Sequence, residues 1–159
     1  MKKALLTLLI VFGTFGHAWA GKVETLVNEY RGNDGFEVVS MGPIGMSLLR
    51  MAASLGGDLD QEERAALASF NGIRRITVVD FEGLESRLKK QFCKKMDSIL
   101  KGMELIMEVK DKADVMRIYG MDEGETIRDC VLYSSDGTLI CTRGRLRLDK
   151  IGELMQMAE

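Results

Sequence analysis

The chain after Gly102 alternates between apolar and polar side chains in four short runs, and this pattern limits the fold more than any other feature. Alternation with a period of two is typical of half-buried β-strands. The runs cover residues 105–109, 115–119, 127–133 and 138–143, with short polar turns between them. Because consecutive strands joined by tight turns pair antiparallel, we expect a C-terminal four-strand meander.

Helical periodicity dominates most of the chain before this run. Three- and four-residue steps predict one long helix with a buried stripe, made of Leu84, Leu88, Phe92, Met96, Ile99 and Met103. Two strands are predicted at 36–41 and 73–81, where β-branched residues are frequent. The predicted fold class is therefore α+β, with an antiparallel sheet packed against several helices.

Four shorter helices complete the prediction. One covers Val23, Leu26, Val27 and Tyr30, and another is expected from Asp60 to Phe70. A third begins at Pro43 and is expected to direct five side chains inward, namely Ile44, Leu48, Leu49, Ala52 and Leu55. The last helix is expected near the C-terminus, around Ile151, Leu154 and Met155.

The first twenty residues have the three parts of a secretory signal peptide. Two lysines are followed by an apolar run at 4–15, which is too short to span a bilayer, and by the small residues of Ala18-Trp19-Ala20. We expect cleavage after Ala20, a single domain at 21–159 without a transmembrane helix, and a periplasmic or secreted location. Cleavage would also remove His17, the chain's one histidine, and with it imidazole-based catalysis and metal binding.

The charge balance of the exported part argues against nucleic acid as a partner. Loss of the two leader lysines changes the formal net charge from −2 to −4. General nucleic-acid binding requires a basic surface, which an acidic chain lacks. We therefore expect an envelope protein or an anionic ligand as the partner, and a homodimer is an open alternative.

Six segments are similar to one bacterial family. They are Gly35-Phe36, the run from Gly72 to Ile76, the run from Met103 to Val109, the run from Val115 to Tyr119, Val131-Leu132-Tyr133, and the run from Gly144 to Leu148. Together they resemble the exported bacterial domain of unknown function 4252, over nearly the whole mature chain. The resemblance implies export and a single domain. It implies no activity and no catalytic residues.

Cys130 and Cys141 flank the predicted 134–137 turn, and the register of that hairpin decides whether they form a disulfide. A four-residue loop would pair Tyr133 with Thr138 and place the two cysteines opposite each other. A three-residue loop would pair Ser134 with Thr138 and direct the cysteines to opposite faces. The Ser-Asp-Gly turn slightly favours the second register, so two small buried residues are preferred over a disulfide.

Arg143, Arg145 and Arg147 alternate along the last predicted strand and therefore share one face. A basic stripe in an acidic chain can bind a phosphate, a carboxylate or an anionic lipid headgroup, and it is the predicted ligand-binding site. The alternative, slightly preferred, is that the three charges protect an edge strand from pairing with another chain.

No motif in the chain indicates an enzyme, a cofactor or a metal site. The acidic residues at 58–63 lack the spacing of an EF-hand calcium loop, and helix capping explains them better. For Asp122, Glu123 and Glu125 a weak calcium site is the alternative, and a solvated turn is preferred. Cys93 is expected to be a buried free thiol. We therefore predict a non-catalytic exported binding domain with no catalytic residue. The alternatives are a small envelope enzyme that uses carboxylates or a cysteine, and a structural or envelope-sensing component.

Overall fold

The computed structural model describes residues 21–55, 70–111 and 114–147 of the 159-residue chain. The predicted signal peptide, the helix expected from Asp60 and the C-terminal helix lie outside these residues, so they stay predictions. The described residues include both predicted early strands, the long helix and the whole meander.

Six antiparallel strands form one sheet, which confirms the α+β class. The strands are β1 Glu37–Met41, β2 Ile73–Asp80, β3 Glu104–Asp111, β4 Asp114–Asp122, β5 Thr126–Ser134 and β6 Thr138–Arg147. Their order across the sheet is β1-β2-β6-β5-β4-β3, and every neighbouring pair is antiparallel. The predicted meander is therefore present as β3 to β6. The two early strands extend it on the β6 side.

In the described residues, three helices and one short turn of 3-10 helix accompany the sheet. Helix α1 covers 21–30, α2 covers Pro43–Leu55, the 3-10 turn covers Phe70–Gly72, and α3 covers Ser86–Leu100. The buried side chains of α1 and α3 form one core cluster with Val79 of β2, Val131 of β5 and Leu139 of β6. Both helices therefore cover the same sheet face.

Phe92 lies at the centre of this core, where its ring is fully buried. Its centroid is 4.8 Å from that of Phe81, 5.2 Å from Tyr30 and 5.3 Å from Phe36. Tilted and edge-on aromatic contacts at such distances are favourable beyond the area that they bury. The stripe predicted for α3 is confirmed for Phe92 and Met96, which are buried, and for the partly buried Leu88 and Ile99. Leu84 precedes the helix and Met103 follows it.

Helix α2 is present, but the prediction of its inward face is wrong. Ile44 and Leu48 are 78% and 55% exposed, whereas Met46 is 1% exposed and packs in a second cluster with Ile73. Apolar residues occur all round this helix, so spacing alone did not distinguish the face that meets the sheet. The side chains of Leu49, Ala52 and Leu55 are not among those described.

Candidate functional site

A cavity of about 210 Å³ lies between α1 and the sheet, and we call it the α1 cavity. It reaches across all six strands, from Ser40 on β1 to Glu104 on β3, on the sheet face that α1 shares with α3. Cavities somewhat smaller than this, of roughly 150 Å³, hold a benzene ring in proteins. The α1 cavity is therefore large enough for a small organic molecule.

The floor of the α1 cavity is apolar. Val27 of α1, Val131 of β5 and Cys141 of β6 line it, together with Met103 from the turn after α3. Burial raises the pKa of the Cys141 thiol to about 12, and the nearby Cys130 adds to this effect. Because a protonated thiol behaves as a small hydrophobic group, the floor carries no charge at neutral pH.

The rim of the α1 cavity is charged, and Glu24 of α1 contacts two arginines there. One carboxylate oxygen, Oε1, accepts a hydrogen bond from Arg75 Nη1 at 3.2 Å. The other oxygen, Oε2, accepts one from Arg143 Nη2 at 2.6 Å. A single carboxylate thus bridges two guanidinium groups that belong to the neighbouring strands β2 and β6.

Asp129 shapes the wall of the cavity where β5 departs from regular pairing. Its backbone has φ 52°, and the register between β5 and β6 shifts between Arg128 and Val131. The Asp129 carboxylate accepts a hydrogen bond from the Gly144 amide at 3.0 Å. Aspartate tolerates this left-handed conformation better than most residues, but it still costs free energy. The hydrogen bond to Gly144 offsets part of that cost.

The three arginines of the predicted stripe have different surroundings in the structure. Arg143 lines the cavity, whereas Arg145 donates to the Glu123 carboxylate at 2.7 Å and lowers the pKa of that carboxyl group. Arg147 is exposed at the end of β6. The preferred explanation by edge protection is wrong, because β6 lies between β2 and β5 while the edges of the sheet are β1 and β3.

The hairpin register places the two candidate cysteines on opposite faces. Val131 pairs with Cys141 and Tyr133 with Leu139, which is the register of the three-residue loop. Cys130 therefore faces the α2 side of the sheet, and Cys141 faces the α1 cavity. Both cysteines, and Cys93, are free thiols. This register leaves the two sulfur atoms unable to meet across the hairpin.

A second, open concavity runs between α3 and strands β3 and β4, and we call it the α3 groove. Lys90, Lys94 and Lys101 line it beside the half-buried Cys93. The Arg117 side chain at its far wall donates to Glu108 at 2.7 Å. Lysines on one helix face are typical of a solvated helix exterior, and nothing here converges as in the α1 cavity.

No acidic or sulfur-containing cluster in the described residues has the arrangement of a metal site. The Asp122 carboxylate accepts the Gly124 amide at 2.7 Å and closes the β4–β5 turn. Glu123 of the same turn pairs with Arg128 and Arg145. The acidic residues at 58–63 lie outside the described residues.

The sequence predicts Arg143 as a binding residue, but it does not predict that Glu24 contacts Arg143 or that Arg75 lies beside it. Glu24 follows the buried Val23 on a helix, and Arg75 lies within an apolar strand. Each charge looks ordinary by itself. Only the pairing of β2 with β6, and the position of α1 above them, brings the three together.

Within the described part of the chain, no helix is both long and apolar enough to cross a membrane. In comparisons with known proteins, no curated protein and no solved structure matches the chain. The family model described as a domain of unknown function, DUF4252, matches residues 30–154, which include all six strands, α2 and α3. The match covers well over half of the sequence, so the chain belongs to the DUF4252 family.

Proposed function

We propose that this protein is an exported, non-catalytic binding domain whose ligand site is the α1 cavity. The observation that carries this proposal is the combination of an apolar floor with a rim of paired charges in one concave site. Sites for small molecules in proteins are usually concave and mostly apolar, with a few placed polar groups that fix orientation.

The groups in the cavity favour binding over catalysis. The Cys141 thiol is protonated at neutral pH, because its pKa is raised to about 12, and a thiol in that form is a poor nucleophile. The Glu24 carboxylate is held by two arginines and that of Asp129 by a backbone amide. Both carboxylates therefore already have hydrogen-bond partners within the protein. These features weigh against the alternative of an envelope enzyme that uses carboxylates or a cysteine.

Export is the second part of the proposal and is supported by the leader-like residues 1–20. Intact mass of the protein from an envelope fraction, after expression of the full coding sequence, measures the cleavage point directly. We expect a chain that begins at Gly21. A mature chain that retains His17 would refute export by this route.

A titration with indole, a neutral aromatic probe, tests the cavity as a binding site. We expect indole to shift the backbone amide resonances of cavity residues such as Val27 and Val131 in two-dimensional NMR spectra. Cys141→Met places a larger side chain at the floor and is expected to weaken these shifts. Cys93→Ser lies in the α3 groove and provides the matched control, which is expected to leave them unchanged. Resonance shifts confined to residues outside the cavity would contradict the proposal.

A further inference from the structure

We propose that the α1 cavity binds a small carboxylate with an apolar body, and that the ligand carboxylate replaces Glu24 between Arg75 and Arg143. This inference rests on the function proposed above and names the chemical class of the ligand. Glu24 acts in the structure as an internal substitute for that ligand. It presents one oxygen to each guanidinium, which is how a bound carboxylate would be held.

The exposure of the three side chains makes this exchange feasible. The side chain of Glu24 is 47% exposed, and those of Arg75 and Arg143 are 43% and 40% exposed. Ion pairs this accessible to water contribute little to stability. Glu24 can therefore turn into solvent without leaving a buried charge, and both guanidinium groups stay in place on the strands of the sheet.

The other charges in the cavity also favour an anion. Arg31 also lines the cavity, directly after the end of α1, and makes no ion pair with any residue that the structure describes. Asp129, an acid of the cavity wall, is already held by the Gly144 amide. Two further charges line the cavity, namely Arg128, which pairs with Glu123, and Glu104. Departure of Glu24 would thus leave four arginines against two acids in the lining and increase its attraction for a ligand carboxylate.

The apolar floor defines the rest of the ligand. Val27, Val131 and Cys141 offer hydrocarbon and neutral sulfur, and they have no charge for a second ionic group of the ligand. The volume of about 210 Å³ suits one ring or a short acyl chain attached to the carboxylate. Phenylacetate has this composition, and phenylacetamide is nearly identical in shape but uncharged.

Isothermal titration calorimetry with these two probes at low salt tests the inference. We expect the wild-type protein to bind phenylacetate at least about tenfold more tightly than phenylacetamide, because the amide loses the charge-assisted hydrogen bonds. Arg143→Gln is expected to remove most of this preference. Glu24→Gln is expected to tighten phenylacetate binding roughly fivefold, because the competing carboxylate is gone.

Glu29→Gln provides the matched control. Glu29 is on the same helix, makes an ion pair with Lys95 and is similarly exposed, but it lies outside the cavity lining. This variant is expected to bind phenylacetate as the wild type does. A gain in affinity that is specific to Glu24→Gln cannot come from misfolding.

Two results would overturn the inference while leaving the proposed function intact. One is equal affinity for phenylacetate and phenylacetamide. The other is the same affinity for phenylacetate in Glu24→Gln and Glu29→Gln. Absence of binding for indole, phenylacetate and phenylacetamide alike would instead refute the cavity as a ligand site, and the inference with it.

Discussion

The Glu24 carboxylate and the Arg143 guanidinium are 119 residues apart in the sequence and 2.6 Å apart in space. The contact joins the first helix of the described chain to an inner strand of the sheet. Glu24 thus meets the sheet through a charged contact at the cavity rim, whereas Tyr30 at the other end of α1 packs into the aromatic core. The α1 cavity is lined along the helix from Val23 to Asn28 and by Arg31 just after it.

Phe92→Ala is expected to destabilise the protein by about 3–5 kcal/mol, because it leaves a cavity among three rings. Leu88→Ala, on the same helix but only partly buried, is expected to cost clearly less. Urea denaturation of both variants measures the two losses in the free energy of unfolding. Equal losses would contradict the central position of Phe92.

Gly35→Ala is expected to destabilise the fold more than Gly32→Ala. Both glycines have positive φ, at 76° and 95°, so alanine at either position costs about 1–2 kcal/mol of backbone strain. A Cβ at Gly35 would also lie 2.0 Å from the carbonyl oxygen of Gly83, whereas nothing lies within 4 Å of one at Gly32. Thermal melting of the two variants compares them, and a larger loss for Gly32→Ala would show that the contact with Gly83 is absent.

Met46→Ala and Ile44→Ala test the orientation of α2. Met46 is buried, so its truncation is expected to cost about 2–5 kcal/mol. Ile44 is 78% exposed, and its truncation is expected to change the free energy of unfolding by no more than about 0.5 kcal/mol. Chemical denaturation measures both. A larger loss of stability for Ile44→Ala than for Met46→Ala would support the inward face that the sequence predicts.

Cys130 makes the stability sensitive to alkaline pH. Burial raises the pKa of its thiol to about 12 in the folded state, while an unfolded cysteine has a pKa of about 8.5. The contribution of the neutral thiol is complete below the unfolded pKa and is lost as the pH rises toward the folded pKa. Between about pH 7 and about pH 10, the wild type should therefore lose roughly 1–2 kcal/mol more than Cys130→Ala. Equal losses would mean that Cys130 is accessible to water.

Local patterns predicted those parts of the fold that depend on short-range periodicity. The meander and the buried stripe of α3 follow from alternation and from three- and four-residue steps. The hairpin register followed from turn chemistry, because the Ser-Asp-Gly turn fixes which residues pair within a few positions. Helix α2 was assigned the wrong face because its apolar residues do not form a single stripe.

Such local patterns do not predict which strands pair when they are distant in the sequence. The return of β2 to pair with β6 moves Arg143 from a supposed edge to the middle of the sheet. The same pairing places Arg75 beside it, and the position of α1 adds Glu24. The candidate site therefore depends on three segments that are distant in sequence, and no single segment carries its signature.

The most direct measurement is a crystal structure of the protein with phenylacetate bound. We expect the ring of the probe on the floor formed by Val131 and Cys141, and its carboxylate between Arg75 and Arg143. Glu24 is expected to have turned toward solvent. A probe bound outside the α1 cavity, with Glu24 still bridging the two arginines, would contradict the proposed ligand site.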